Sequence, residues 1–244
     1  MLAIIGGSGL NEFSGLDVID RRVVRTPYGE PSGALAMGRL GAREAFFLAR
    51  HGERHTIPPH LVNYQANIWA LREVGAVQII SVASVGGIRA DLAPGMIVIP
   101  DQIIDYTWGR RGTFHDGMDV PVVHTDFTEP YDADLRGRLL AAAAAASEPI
   151  ADGAVYAAMQ GPRLESAAEI NRLERDGADI VGMTGMPEAI LAREAGLAYA
   201  TITVVANHAA GRGDSRAAVR LSGLGEVLNA AMARVRHIIE RFCA

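Results

Sequence analysis

Leu2-Ala3-Ile4-Ile5-Gly6-Gly7-Ser8-Gly9 opens the chain with four apolar residues that stop abruptly at small ones. A run apolar at consecutive positions and too short for a helix reads as a strand covered on both faces, with the glycines after it closing a turn. The same pattern recurs at Ala45–Ala49, Gln78–Val82, Met96–Ile99, Ala154–Met159, Ile180–Gly182 and Tyr199–Val205. Helical stretches lie between these runs, at His60–Gly75, Asp134–Ser147, Ser166–Asp176, Pro187–Ala195 and Leu224–Phe242. The alternation predicts an α/β fold with a central mixed β-sheet flanked by helices. No fixed-period repeat and no Gly/Ser-rich or Pro-rich linker interrupts it, so one domain is expected over residues 1–244. Two long irregular tracts, Ile104–Thr128 and His208–Gly223, are rich in Gly, Asp, His and Arg. Loops of that length are more often functional than incidental, and active sites of α/β sheets gather at strand C-termini.

Composition narrows the function classes. The chain has 244 residues, 49% hydrophobic and 21% charged, with one cysteine, Cys243. A chain this long buries roughly 70–75% of its unfolded surface and needs no staple. A single cysteine excludes a disulfide framework and a cysteine-based zinc site, and fits a reducing compartment. The net charge of -5 argues against a nucleic-acid or anionic-membrane partner, although local arginines still permit small anions. The start lacks a basic stretch, and its apolar run is too short for a signal peptide. The longest apolar tract, Leu139–Ala146, falls short of the roughly 20 residues of a membrane span and reads as helix. A cytoplasmic protein is expected.

Several strand-end stretches carry groups suited to an anion. Gly6-Gly7-Ser8-Gly9 lets backbone N–H groups approach, and Ser8 adds a hydroxyl. It is not a dinucleotide fingerprint, because Glu12 occupies the third glycine position and no clean helix follows. Leu48-Ala49-Arg50-His51-Gly52 places a guanidinium, capable of gripping phosphate through two parallel N–H bonds, where a strand stops. His55 and His60 follow, without an HExxH, a cysteine or a carboxylate set, so no metal site is expected. Ser84-Val85-Gly86-Gly87-Ile88 and Gly182-Met183-Thr184-Gly185-Met186-Pro187-Glu188 read as two further cradle walls after strands. In the second, Thr184 offers both its hydroxyl and its backbone N–H. Gln160-Gly161-Pro162-Arg163-Leu164-Glu165 and Val204-Val205-Ala206-Asn207-His208 each set a hydrogen-bonding side chain just after a strand.

Taken in order, GGSGL, LARHG, VNYQANIWAL, SVGGI, PGMIVIPDQIID, QGPRLE, GMTGMPE and VVAN resemble the trimeric purine nucleoside phosphorylase and methylthioadenosine phosphorylase family, from about Ile4 to Asn207. The resemblance implies phosphorolysis, a reaction of purine salvage in which inorganic phosphate, a co-substrate, attacks C1′ of a nucleoside. It implies no cofactor and no metal. It assigns Ser8, Arg50, His51, the backbone at Ala83 and Ser84, and Thr184 to phosphate. Met183 packs against the ribose in this assignment, and Asn207 is the catalytic residue that hydrogen-bonds the departing base. Leu164, Glu165, His208, Ala209, Leu221, Leu224 and His124 complete the substrate contacts. His124 belongs to a loop that in the family reaches a neighbouring subunit, which implies a homotrimer.

Within the family, methylthioadenosine phosphorylases carry Asp at the position of Asn207 and Phe-Ser at Leu164-Glu165. Enzymes acting on 6-oxopurines carry Asn and Glu there, as this chain does. A 6-oxopurine offers an N1–H donor to the Glu165 carboxylate, whereas adenine presents a bare N1 acceptor. Two buried acceptors in opposition cost about 1–3 kcal/mol, so discrimination of about 10- to 100-fold is expected. At the 5′ end the family's 6-oxopurine enzymes use a histidine, which this chain lacks between Ser215 and Leu228. Val219, Leu221, Leu224 and Val227 stand there instead, suiting a methylthio group. The combination implies S-methyl-5′-thioinosine as substrate. A general 6-oxopurine nucleoside phosphorylase, a methylthioadenosine phosphorylase, a non-catalytic nucleoside-binding module and a nicotinamide-dependent oxidoreductase are the alternatives.

Overall fold

The opening run forms β1 (Leu2–Gly6), buried along its whole length. Both its edges are occupied: β4 (Arg43–Ala49) and β5 (Gln78–Gly87) run parallel to it, with Ile5 opposite Leu48 and Ser81. Both its faces are covered as well. Leu2 and Ile4 enter one apolar core with α2 (Ala133–Ala145) and α5 (Leu224–Cys243). Ala3 and Ile5 enter a second core with α1 (Tyr64–Glu73) and α4 (Gly185–Glu194). This two-sided burial is the physical reason for consecutive apolar residues. The computed structural model describes residues 1–117, 121–220 and 223–244.

The sheet grows outward from β1. On one side, β2 (Asp17–Arg22) and β3 (Leu35–Leu40) add an antiparallel meander to β4. On the other side β5 leads to β10 (Ile180–Gly182), β9 (Val155–Ala158) and β7 (Gln102–Asp105). The remaining edge of β5 is taken, along its full length, by the parallel β11 (Ala198–His208). β11 in turn pairs with β6 (Ile97–Ile99), and β6 with β8 (Ile150–Asp152). The expected mixed sheet with flanking helices is what forms.

One feature of this pairing locates the site. β1 covers Gln78–Ser81 of β5, and antiparallel β10 covers Gly86 and Gly87. With β11 along the opposite edge, both partners share one edge of β5 and leave Val82–Val85 between them without a ladder partner on that side. Backbone donors and acceptors there face a crevice, the arrangement of a topological switch point.

The helices follow their expected limits through local capping. Asn63 accepts from Ala66 N at the start of α1, and Asp132 accepts from Leu135 N at the start of α2. Ser166 and Glu169 form a reciprocal capping box on α3 (Ala167–Arg175). The expected helix from His60 starts only at Tyr64, because Pro59–Leu61 makes a separate 3-10 turn before the Asn63 cap. Two expected loops are also strand: Ser84–Gly87 continues β5, and Ala206–His208 continues β11. Gly86 and Gly87 serve packing inside the strand, since a Cβ at Gly87 would strike the Leu92 carbonyl and one at Gly86 would crowd Val181.

Gly87→Ala is therefore expected to destabilise the protein by about 1–3 kcal/mol, lowering its melting temperature by roughly 2–12 °C. Gly137, on the exposed side of α2 with open space around it, gives the opposite expectation. Gly137→Ala should raise the melting temperature, by up to about 1 kcal/mol of helix propensity. Thermal melts of the two variants beside wild type check both signs.

Candidate active site

A cavity of about 570 Å³ opens at the uncovered edge of β5, where β1, β4, β10 and β11 also end. Its walls come from segments far apart in sequence. The turn after β1 brings Gly7 and Ser8, β5 itself brings Ala83 and Ser84, and the turn after β10 brings Met183 and Thr184. Gly7 has to be glycine: a Cβ there would lie 2.6 Å from Val82 O and 2.9 Å from Arg50 Nη1.

Arg50 sits directly beyond β4, its backbone N–H bonded to Gly6 O at 3.0 Å, and its side chain is fully buried. The two-pronged face of its guanidinium is turned to Glu188 of α4, through Nε to Oε2 at 2.6 Å and Nη2 to Oε1 at 2.9 Å. Nη2 also donates to Ser81 Oγ at 2.7 Å, and Nη1 donates to Val82 O at 3.0 Å. Of five N–H donors, four are committed, which leaves one on Nη1 for the cavity. The parallel two-bond grip on phosphate expected from sequence is thus occupied by Glu188. Ser81 Oγ and Tyr199 OH donate to Glu188 Oε1 at 2.7 and 2.8 Å, so the buried carboxylate is well satisfied. Burial opposes the Arg50 charge, but the Glu188 carboxylate outweighs it and holds the guanidinium pKa above its ordinary value.

His51 is buried beside it, with Nδ1 2.8 Å from Ile57 O. A carbonyl oxygen only accepts, so Nδ1 carries the proton and, in the neutral ring, Nε2 is an acceptor. Burial and the Arg50 charge together push the His51 pKa down to about 4, against a weaker pull from the Ile57 carbonyl. Thr184 is buried at the cavity wall, and its backbone N–H points to Tyr156 OH at 3.3 Å. The expected double offer from Thr184 reduces to its hydroxyl, because Tyr156 holds the amide.

The rest of the cavity has a lining of mixed character. Met183, Leu164, Glu165, Asn207, Ala209 and Leu224 all line it, as expected. Arg163 is turned away from Glu165 and forks onto Glu169 at 2.8 and 2.7 Å. Burial raises the Glu165 pKa. Asn207 Nδ2 donates to His208 O at 2.7 Å, which leaves its Oδ1 and one N–H to face a ligand. Val219, Leu224 and Leu228 form an apolar corner, the last two one turn apart on α5.

Three expected contacts are not in the cavity, the first being Val227, whose place in the lining on α5 is taken by Leu228. His208, the residue after Asn207 along β11, packs its ring beneath Gly213 of the Gly213–Ser215 turn, and its buried Nδ1 has no hydrogen-bond partner among the described residues. His124 is exposed and lies outside the lining. Leu221 falls outside the described residues. Sequence reasoning gave Glu188 no role, left Leu228 unassigned, and weighed His55 only as a metal ligand. His55 lines the wall, held at φ 53 with its ring 4.7 Å from that of His51. The spacing of Leu224 and Leu228 was the available signal for the corner. No spacing links Arg50 to Glu188.

Hydroxyl, guanidinium and backbone donors share this cavity with apolar side chains and the Glu165–Asn207 pair, and the chain belongs to the phosphorylase superfamily, whose family model matches residues 1–244. It is 49% identical to the probable S-methyl-5′-thioinosine phosphorylase of Pseudomonas syringae pv. tomato, over 98% of this chain and 96% of that one. It is 47% identical to the 6-oxopurine nucleoside phosphorylase of Pyrococcus furiosus, over 86% of this chain and 80% of that one. Methylthioadenosine phosphorylase from Schistosoma mansoni, solved in complex with adenine, superposes with a TM-score of 0.94 at 33% identity, covering 99% of this chain and 90% of that one. The resemblance carried by the ordered motifs therefore holds.

Two measurements follow from this geometry. Glu188→Gln keeps the side chain's shape but strands the Arg50 charge, so a loss of about 3–5 kcal/mol is expected, seen as a melting temperature lower by roughly 6–20 °C. An unchanged melt would contradict the role given to the pair. For His51, the folded pKa near 4 lies below the ordinary 6.5, so the unfolded chain takes up the proton first as pH falls. The folded state should lose stability between about pH 6.5 and 4 on this account, and His51→Gln should flatten that part of the melting-temperature profile.

Proposed function

We propose that the protein catalyses phosphorolysis of S-methyl-5′-thioinosine, giving hypoxanthine and 5-methylthio-α-D-ribose 1-phosphate. The observation that carries this reading is the meeting, in one cavity, of the Glu165–Asn207 pair with the apolar corner of Val219, Leu224 and Leu228. The first suits a 6-oxopurine and the second a thioether. The relatives named for methylthioinosine and for 6-oxopurine nucleosides support the same base class.

In this mechanism Ser8, the free Arg50 N–H, the β5 edge at Ala83 and Ser84, and the Thr184 hydroxyl hold phosphate below C1′. His51 accepts from a protonated phosphate oxygen through Nε2. A phosphate oxygen forms the new bond to C1′ as the bond to N9 breaks, and the bonding pair leaves with the purine. The sugar passes through a cationic state, stabilised by the anion beneath it and enclosed by Met183. Asn207 accepts from N7–H and donates to O6, which share one edge of the purine, and Glu165 accepts from N1–H. No cofactor or metal enters the reaction.

The proposed assembly is a homotrimer, in which His124, flanked by the exposed Val122 and Val123, meets the cavity of a neighbouring copy. The proposed location is cytoplasmic. No helix of the described residues is long and apolar enough to cross a membrane.

The experiment is a substrate panel with and without inorganic phosphate. The expected order of kcat/KM is methylthioinosine, then inosine, then methylthioadenosine, with base release only when phosphate is present. A higher value for inosine would favour the general 6-oxopurine nucleoside phosphorylase instead, for which the relative from Pyrococcus furiosus speaks. The raised Glu165 pKa adds a pH signature. As pH falls, Glu165 gains a proton sooner than an ordinary carboxylate and can then donate to adenine N1, so the preference for 6-oxopurines should narrow toward acid pH.

A further inference from the structure

Arg110, a residue of the long Ile104–Thr128 tract to which sequence alone gave no role, meets six oxygen atoms and no carboxylate among the described residues. Nη1 donates to the backbone carbonyls of Met183 at 2.8 Å and Met186 at 2.7 Å, and meets Tyr64 OH at 3.3 Å. Nη2 donates to the carbonyls of Gln160 at 2.7 Å and Met159 at 3.2 Å, and Nε donates to Gln160 Oε1 at 3.2 Å. Its N–H donors are fully occupied, so Arg110 is not a phosphate ligand although it adjoins the cavity wall.

Apart from Tyr64 OH of α1 and Met186 O at the start of α4, the oxygens it gathers belong to two turns. One follows β9 and runs through Gln160 to Leu164 and Glu165; the other follows β10 and carries Met183 and Thr184. β9 and β10 pair only over three residues, Tyr156–Ala158 with Ile180–Gly182, so the ladder stops short of both turns. Beyond it the spacing of the turns rests on the guanidinium, the bond from Met159 N–H to Gly182 O at 2.7 Å, and the packing of Gly161 against the Met183 side chain. The segment bearing Arg110 is itself anchored: Trp108 N–H donates to Gln160 Oε1, Gln65 Nε2 donates to Thr113 O, and Phe114 N–H donates to Glu194 at 2.7 Å.

We propose that Arg110 is a positioning residue that sets the distance between the Met183 turn and the Gln160–Glu165 turn, and thereby fixes the sugar contact and the base contact against one nucleoside. The proposal rests on the phosphorylase reading of the cavity. The rest of the phosphate end, built on the turn after β1, on Arg50 and on the uncovered edge of β5, does not depend on Arg110; only Thr184 shares the Met183 turn. Lysine cannot replace it, because three N–H groups in a cone do not span two turns as a planar five-donor fork does.

The test uses Arg110→Ala and Arg110→Lys in the full chain, with the nucleoside and phosphate varied separately. In both variants KM for the nucleoside should rise about tenfold or more with kcat lowered, while KM for phosphate, which meets the Met183 turn only through Thr184, should rise clearly less, by no more than about threefold. Guanidinium ion should restore part of the Arg110→Ala activity, and methylammonium should not. Equal rises in both KM values, or wild-type behaviour of Arg110→Lys, would overturn the proposal. Amide hydrogen exchange separates this from the fate of the functional reading. Residues 159–161 and 183–186 should exchange faster in Arg110→Ala while Gly6–Ser8 and Arg50 do not; unchanged exchange at the two turns would refute the positioning role whatever reaction the wild type performs.

Discussion

The buried contact between Arg50 and Glu188 is the constraint around which the rest is arranged. Two full charges taken out of water are tolerable only when every donor and acceptor is met. Here Ser81 and Tyr199 complete the carboxylate while Val82 O and Ser81 complete most of the guanidinium. The partners come from β4, β5, α4 and β11, so the pair closes only when those four elements have assembled. The guanidinium that results is held by four bonds before any ligand arrives. A donor fixed in that way does not need to reorganise when charge develops beside it, which is the main source of electrostatic catalysis.

This arrangement divides the cavity. In the proposed function its anion end combines Arg50, His51 and the uncovered edge of β5 with two short turns, at Ser8 and Thr184, that leave directly from β1 and β10. Its other end is made of turns and the first turns of α5, whose side chains can change at small cost to the cores. The comparison with the Schistosoma enzyme has the same character, with the fold kept at a TM-score of 0.94 while identity falls to 33%.

Much of the fold was legible because burial on both faces leaves a strong signal. β1, β6, β9 and β10 coincide with runs of consecutive apolar residues, as does β4 beyond its exposed first two residues, Arg43 and Glu44. β2 left no such signal, since every residue of Asp17–Arg22 is exposed at the sheet's margin. β3, β7 and β8 were also unread; β8 has three residues and β7 none that are fully buried. The tails of β5 and β11 were mistaken for loops because glycine, asparagine and histidine favour loops, whereas here a neighbouring carbonyl demands the glycine. In the site, the residue types were legible and their orientations were not. Arg50 was found, but which way its fork turns depends on a partner 138 positions away. His208 was grouped with Asn207 by adjacency, although the two go to different environments. Arg110 has no periodicity at all, and only the fold reveals the oxygens it collects.

The register of β11 against β5 slips once: Val205 faces Val85, Asn207 faces Gly86, and Ala206 is the additional residue between them. That irregularity uncouples the amide at 207 from the ladder's strict alternation, so the side chain can be exchanged without disturbing the neighbours on which the sheet depends. Under the role proposed for Asn207, a lineage built on this scaffold has a location where base preference can drift by a single codon while the fold stays as it was. The slipped register is, in that sense, where new substrates become accessible to selection.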